Sequence, residues 1–573
     1  MKKIYFYKKN NSELNYCGWL FFTERLFKKK GNFINYSNHD FKKNNLLTEK
    51  YEKIIFNYLY VRLNKFHNVN YPKRYWKILM HNWVRWYVQS IIFRYDYIKK
   101  NIEISKFKKF YFKFNERSKK YPNFNIDFLN SLNDNDFNNR ICYKVAENFC
   151  LKKKITIQKK NNNQKNLFKN EYQIFRLTFV NYFIRPILNF FCKFLIKDNI
   201  PILVSTYLPK KKENEYMIQS SYFFLWKNFF DINNYKINKL IKKNNNYKRN
   251  KFFKKIKQKN LKSTLINLLD DCFPTCFLED FLLIKKFTKK KILKKKIKYL
   301  FTSNEFAFND FFKFYLVELL SKGTKYFVGQ HGSGYGSNVD QLNTIEESTS
   351  DKFFTWGWKY KKNHYPLGIL QNYDQKQYRM INKVQKILVV HPNLESQRYV
   401  YDTSLMYKKS IETGIEILKI CKENKFKNIG VRFHHSDFKF IKKYKKDYFK
   451  FNNDVKIDYG QNNIKREIDE NTLVIFTYLS SGFYELLSLN CKCISIFDLD
   501  KKFFHSKFYN KIEPLKKNKI IFSNKKLLSE YVKNLITKDE FYFKKDKIPN
   551  NQKIFLREYG NIKNLEDKLE SAL

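Results

Sequence analysis

Glycine is scarce in this chain, with 14 among 573 residues, and its placement is uneven. None occurs from Asn32 to Lys322, whereas seven fall between Gly323 and Gly368. Such a concentration marks a place where backbone must turn at positive φ or run close to a neighbour. Tyr326-Phe327-Val328 reads as a short buried strand, and the loop Gly329-Gln330-His331-Gly332-Ser333-Gly334-Tyr335-Gly336 follows it. A histidine on a loop at a strand's C-terminal end stands where open α/β sheets put their chemistry. A tight turn around a hydrogen-bonded histidine fits the same residues.

The surrounding pattern gives that loop its context. Pro201 to Thr206 and Tyr299 to Ser303 have the continuous apolar character of strands in parallel sheets. A helix is expected over Glu305 to Ser321, and Phe353 to Trp358 is strand-like again. After a linker-like stretch, 359–383, a second series begins. Its strands are Ile387 to Val390, Ile429 to Phe433, 455–458, Leu473 to Phe476 and Cys493 to Phe497, with helices over 404–424, 436–450 and 482–489. Strands alternating with helices imply parallel α/β layers, here two of them.

The N-terminal region, 1–120, is helical in pattern, with Trp76, Trp83 and Leu79 at helical spacing; Asn64, His67 and Arg85 read as polar caps or surface positions. Residues 115–170 and 232–262 are rich in Asn and Lys and read as loops, while 171–195 looks helical. The expected organisation is a helical region 1–120, a first α/β domain 171–375, a second 384–540, and a tail 541–573 packing back. The fold class is therefore α/β, two Rossmann-like domains facing a cleft, with a helical N-terminal region.

Lys and Arg total 113 against 53 Asp and Glu, a net charge of +60. This invites a nucleic-acid reading. The excess is spread along the whole chain beside equally abundant Asn, Phe and Tyr, and no nucleic-acid motif accompanies it, so none is expected as a partner. The denser run Lys289 to Lys298 suits either solvated surface or peripheral contact with anionic lipid. Nine scattered cysteines without a C-x-x-C pair argue against a disulfide framework and a zinc site. With no signal-peptide pattern and no long uncharged apolar run, a cytoplasmic protein, at most peripheral on the inner face of the membrane, is expected.

Three loops at strand ends carry candidate chemistry. In the first, the imidazole of His331 suits a general base, and the following carboxylates Glu346, Glu347 and Asp351 suit either its orientation or the base role itself. In the second, His391-Pro392-Asn393 ends a strand, and Arg432 and His434-His435 end the next, adding positive charge suited to phosphate. The third, Phe476 to Glu485, is a strand, a hydroxyl-rich turn and a helix N-terminus, where Thr477, Ser480 and Ser481 could converge on a phosphate. A serine N-cap with Glu485 in the first helical turns explains it equally. No P-loop, dinucleotide fingerprint, nucleophile elbow or H-E-x-x-H pattern occurs, so neither a catalytic metal nor a cofactor is indicated.

Residues 63–84 (LNKFHNVNYPKRYWKILMHNWV), 323–336 (GTKYFVGQHGSGYG), 346–358 (EESTSDKFFTWGW) and 476–498 resemble, in order, a bacterial family of LIC-type transferases of surface-carbohydrate biosynthesis. Where that family commonly has two glycines after the histidine, this chain has Gly332-Ser333. More distantly, a His-Gly loop, a His-Pro pair and a hydroxyl-Ser-Ser turn are similar to GT-B enzymes with cytidine-nucleotide donors. These are the capsule Kdo and sialic-acid transferases and the CDP-glycerol glycerophosphotransferases. The resemblance implies a GT-B-like, metal-independent glycosyltransferase with a nucleotide-sugar donor and a surface-polysaccharide or lipid-linked glycan acceptor. CDP-polyol phosphotransfer is the alternative within enzymes, and a basic nucleic-acid-binding protein the alternative outside them. It implies His331, Glu347 or Asp351 as the base, and Gly332, His391, Arg432, His434, Thr477, Ser480, Ser481 and Glu485 around the donor.

Overall fold

A computed structural model of the chain describes residues 4–5, 38–104, 109–114, 121–132, 134–150, 156–160, 198–219, 229–241, 246–257, 260–339, 344–379, 384–393, 404–435, 455–497, 501–538 and 548–573. Two long helices, α1 (Asn38–His67) and α2 (Lys73–Ile104), open it. Asn64 closes the turn between them, accepting the Tyr71 N–H at 3.2 Å and the Trp76 indole N–H at 2.7 Å. Trp76, Leu79 and Trp83 are fully buried, as their spacing predicts.

The Asn-rich stretches depart from expectation. Residues 115–170 contribute α3 (Asn125–Ser131) and α4 (Asn135–Cys150), and β3 (Thr156–Lys160) joins β1 (Ile4–Tyr5) and β2 (Lys109–Lys113) in a small parallel sheet. The region 232–262 forms most of α5 (Phe229–Leu240) and all of α6 (Asn246–Phe252). Their polar residues bond inside the protein. The Asn125 backbone donates to Asp310 at 2.9 Å, Asn138 accepts from buried Arg94 at 2.7 Å, and buried Arg249 pairs with Glu279 at 2.7 Å. Composition alone reads such residues as loop. The helix expected over 171–195 lies outside the described residues.

The first large sheet has five parallel strands in sequential order: β4 (Ile200–Leu203), β5 (Ile297–Thr302), β6 (Lys325–Gly329), β7 (Lys352–Thr355) and β8 (His364–Pro366). The last is a correction, because β8 lies inside the stretch read as linker. Its three residues, one of them proline, suit an edge strand and give almost no periodic signal. Helices α7 (Phe281–Lys289), α8 (Asp310–Leu320) and α9 (Ile345–Thr349) accompany the sheet. Helix α8 starts five residues later than expected, because Asn309 caps it by accepting the Phe312 N–H at 3.1 Å.

The second large sheet holds β9 (Lys386–Val390), β10 (Ile429–Arg432), β11 (Lys456–Asp458), β12 (Thr472–Phe476), β13 (Cys493–Ile496) and β14 (Ile521–Phe522), all parallel. Their order is β11-β10-β9-β12-β13-β14. In sheet numbering this is 3-2-1-4-5-6, the doubly wound arrangement, with its reversal between β9 and β12. Helix α10 (Ser404–Glu423) lies between β9 and β10 in the chain, and α11 (Ser481–Ser488) follows β12. The helix expected over 436–450 lies outside the described residues. Two parallel α/β sheets with a helical N-terminal region are the α/β, GT-B-like class expected.

The chain ends on the first sheet. Helices α12 (Asn550–Tyr559) and α13 (Leu565–Ala572) follow, and Leu565, Leu569 and Ala572 share a core with Phe301, Phe327 and Phe354. Between the helices, the Asn561 N–H donates to the Trp356 carbonyl at 3.0 Å. Gly357, at φ +138°, permits this approach: a Cβ there would sit 2.6 Å from the Arg557 carbonyl oxygen. Gly357→Ala is therefore expected to cost about 2–4 kcal/mol, combining backbone strain with a steric clash. Urea denaturation checks this, and an unchanged midpoint would show that the C-terminal helices do not depend on the close approach.

Candidate active site between the two sheets

The glycine-rich loop leaves the C-terminal end of β6 and is fixed by the residue before the histidine. Gln330 is 2% exposed. Its side-chain N–H donates to the Gly332 carbonyl at 2.9 Å, while its carbonyl accepts the Trp356 backbone N–H at 2.9 Å and the Trp358 indole N–H at 2.8 Å. One amide thus ties the QHG loop to the TWGW segment, which gives that motif pair a physical reason. Gly336, at φ +69°, completes the fit, since a Cβ there would lie 2.4 Å from the Trp358 ring.

This anchoring presents His331 among Tyr207, Phe306 and Tyr335, with ring centroids 6.4, 5.9 and 5.1 Å away. Burial pushes its pKa down to about 4, opposed by a backbone hydrogen bond with Ser303, so the imidazole is neutral at neutral pH. The Tyr335 hydroxyl lies 3.3 Å from Nδ1 and also donates to the Glu346 carboxylate. Burial raises the Glu346 pKa above the usual carboxylate range, and the Tyr335 hydrogen bond opposes this. Of the three carboxylates read as partners of this histidine, Glu346, Glu347 and Asp351, it is Glu346 that Tyr335 links to it, whereas the resemblance pointed to the other two.

Glu347 faces elsewhere. It accepts from His364 Nε2 at 2.8 Å and pairs with Lys361; although burial is the largest influence and raises its pKa, these two partners bring it down. Adjacent residues of a helix point about 100° apart, so α9 sends one glutamate to Tyr335 and the other into an ion-pair cluster. Asp351 is also displaced. It accepts the Tyr326 N–H at 2.8 Å and pairs with Arg74 at 3.1 Å, at the start of β6. Five residues of extended chain separate Tyr326 from His331, which is about 16 Å. As placed, neither Glu347 nor Asp351 reaches the imidazole.

The second sheet contributes the facing edge. His391 follows β9 and Thr477 follows β12, at the reversal of strand order. His391 Nδ1 lies 2.9 Å from the Ser410 hydroxyl and 3.3 Å from that of Thr477, and its ring stacks on Phe433. Complete burial pushes its pKa down to about 3. It therefore brings a hydrogen-bonding ring to this edge and no positive charge. Arg432 is paired with Asp458 and donates to the Asn462 carbonyl, so its guanidinium is already neutralised. His434 is half-buried against His435, and burial lowers its pKa, followed by the charges of His435 and Arg432. The cationic phosphate site expected from these three residues is not assembled as such.

The third loop joins the first. Ser480 is an N-cap, accepting the Gly482 N–H at 3.1 Å. Ser481 instead reaches across, its hydroxyl accepting the Ser333 N–H at 3.0 Å, and a Cβ on Gly332 would lie 3.5 Å from the same oxygen. The His505 N–H donates to the Ser337 carbonyl at 2.7 Å, a second tie between the two edges. One turn into α11, Glu485 lines the same junction. Burial raises its pKa to about 7, opposed by Lys465, and no hydrogen bond or ion pair engages its carboxylate among the described residues. Glu485 also contributes, after burial, to the raised pKa of Tyr207, the residue beside His331. Lys465 donates to Asn372 at 2.6 Å and to the Gln371 carbonyl at 3.0 Å.

His331, Gly332, Ser480, Ser481 and Glu485 therefore meet at one junction, with Thr477 and His391 at the adjoining end of the β9/β12 edge. Glu305, on the loop after β5, adds a further carboxylate held by Ser205 and Asn309, each at 2.8 Å; burial raises its pKa to about 7. Tyr207, Tyr335, Glu305 and Lys465 were not singled out in the sequence. Tyr335 alone carried a signal, through its place in the glycine loop. Among the described residues no group of three or more His, Cys, Asp or Glu could hold a metal ion, and no helix is long and apolar enough to cross a membrane.

A comparison with curated proteins finds no match. Among solved structures, the S. aureus MnaA-UDP co-structure is similar at 11% identity over 49% of this chain and 73% of that chain, with a TM-score of 0.30, a likeness too slight to carry a functional inference. The family comparison is of another order, because the match to the LIC12162 family transferases extends over residues 22–571, nearly the whole sequence. The chain belongs to the LIC12162 family of transferases.

Proposed function

We propose that the protein is a glycosyltransferase that moves a sugar from a nucleotide-activated donor to a hydroxyl of a surface-polysaccharide or lipid-linked glycan. The observation that carries this reading is the junction itself. The His331 loop of one parallel sheet is hydrogen-bonded, Ser333 to Ser481 at 3.0 Å, to the helix that follows β12 of the other. In doubly wound sheets, ligands lie beyond the strand ends at the reversal of strand order, which here is flanked by His391 and Thr477. A donor there would direct its sugar toward His331.

In this mechanism the acceptor oxygen attacks the anomeric carbon, the bond from that carbon to the donor's phosphate oxygen breaks, and the nucleotide leaves with the electron pair. The acceptor proton passes to His331, which burial keeps neutral and so able to accept it. Tyr335, donating to Glu346, has an oxygen lone pair available to an Nδ1–H of the protonated ring. The Glu346 charge, relayed through Tyr335, then stabilises the imidazolium. Lys465 and the N-terminus of α11 supply positive potential for the leaving phosphate.

Isothermal titration of folded protein with CMP-, CDP-, UDP- and GDP-linked donors tests the reading. One of them should bind, the resemblance favouring a cytidine nucleotide, and binding of none would remove the proposal. A product that retained donor phosphate would point instead to polyol-phosphate transfer.

Kinetics of variants test the roles. His331→Ala should lower kcat about 10²–10⁴-fold, the usual contribution of a general base. Because the base form is the active one and its pKa is near 4, the acid limb due to His331 should lie near pH 4 and not near 6.5. Tyr335→Phe should lower kcat about tenfold with KM unchanged and move that limb to lower pH, since the imidazolium loses its support. Glu347→Gln should leave kcat within about threefold while reducing stability. The reverse ranking of Tyr335→Phe and Glu347→Gln would return the catalytic role to Glu347.

A further inference from the structure

Away from the cleft, residues 281–298 (FLLIKKFTKKKILKKKIK) hold nine lysines and no acidic residue. They comprise α7 and the segment leading into β5. Helix α7 buries Phe281, Ile284 and Thr288 and leaves the adjacent Leu282 and Leu283 at 56% and 42% exposure. Seven of the nine lysines are exposed, including Lys289, Lys290 and the run Lys294-Lys295-Lys296. Among the described residues, Glu318 lies 3.9 Å from Lys289 and Asp198 4.0 Å from Lys295, both at the limit of ion pairing, which leaves the excess positive charge. The leucine pair on this surface is not accounted for by the even spread of lysine through the chain.

We propose that this surface docks the protein on an anionic lipid bilayer, with Leu282 and Leu283 entering the acyl boundary and the surrounding lysines lying over the headgroups. The chemistry favours lipid over nucleic acid. Exposed aliphatic side chains gain from hydrocarbon, whereas single-strand binding relies on aromatic stacking and arginine. No arginine lies in the segment, and its exposed apolar residues are leucines. Each lysine held near an anionic membrane strengthens binding by about fivefold, and leucine burial adds a term that salt does not screen. The segment 294–296 precedes β5, at the N-terminal end of the parallel strands, whereas the His331 loop leaves their C-terminal end. Docking through it leaves the cleft open to a soluble donor.

Flotation of the full chain with phosphatidylcholine vesicles, with and without phosphatidylglycerol, tests the proposal. Binding should require the anionic lipid. The paired change Leu282→Ser, Leu283→Ser removes no charge and should weaken partitioning about tenfold. Lys294→Gln, Lys295→Gln, Lys296→Gln should weaken it at least as much, given about fivefold per lysine. The matched change at Lys525, Lys526 and Lys533, exposed on a helix of the second sheet, should have a much smaller effect. Circular dichroism confirms that each variant is folded. The proposal is overturned if the leucine variant binds as the parent does, if the two lysine sets are equivalent, or if the segment binds RNA while vesicles are ignored.

Discussion

The candidate site depends on one buried amide. Gln330 is almost fully removed from water, and its side chain makes three hydrogen bonds, one within its own loop and two to the segment after β7. Losing a partner of a buried polar group costs its desolvation in full, about 1–3 kcal/mol. This fixes the loop more firmly than glycine could, because glycine permits a turn without choosing one. With the loop fixed, His331 lies beside Tyr335 and the Ser333 N–H points at Ser481.

Burial sets the chemistry at the junction. It holds His331 near 4 and His391 near 3, both neutral, and raises Glu305 and Glu485 to about 7, where each is protonated part of the time. A cleft lined this way presents less negative charge to a phosphate than its count of carboxylates suggests. It also leaves His331 Nδ1 beside the Tyr335 hydroxyl, which donates to a buried carboxylate, Glu346. The arrangement suits an anionic donor approached by a neutral hydroxyl. On this account the base is strengthened as it takes the proton, with no charge on the imidazole beforehand.

The sequence made the architecture legible wherever strands were long and fully buried. The alternation from Tyr299 onward, the second series from Ile387 and the tryptophan-bearing helices all follow from apolar periodicity, which burial imposes directly. Edge strand β8 escaped because three residues, one of them proline, carry almost no periodicity, and the helices of the Asn-rich stretches escaped because their polar residues bond inward: Asn125 to Asp310, and Arg249 to Glu279. In the site, the glycine loop and the Ser480-Ser481 turn were visible as local patterns. The choice between Glu346 and Glu347 was not, since it turns on the phase of a five-residue helix, and Arg432 lost its assigned task to Asp458, a partner on the neighbouring strand. Pairings between strands distant in sequence leave no local mark.

The central claim is that the edges of both sheets serve one ligand. Hydrogen–deuterium exchange of the full chain, with and without a nucleotide-sugar that it binds, tests this most directly. The account predicts that one ligand slows exchange in the loop 329–337 and in the segment 477–485 together, at the same ligand concentration. Protection confined to one of them, or lying away from both, would contradict it.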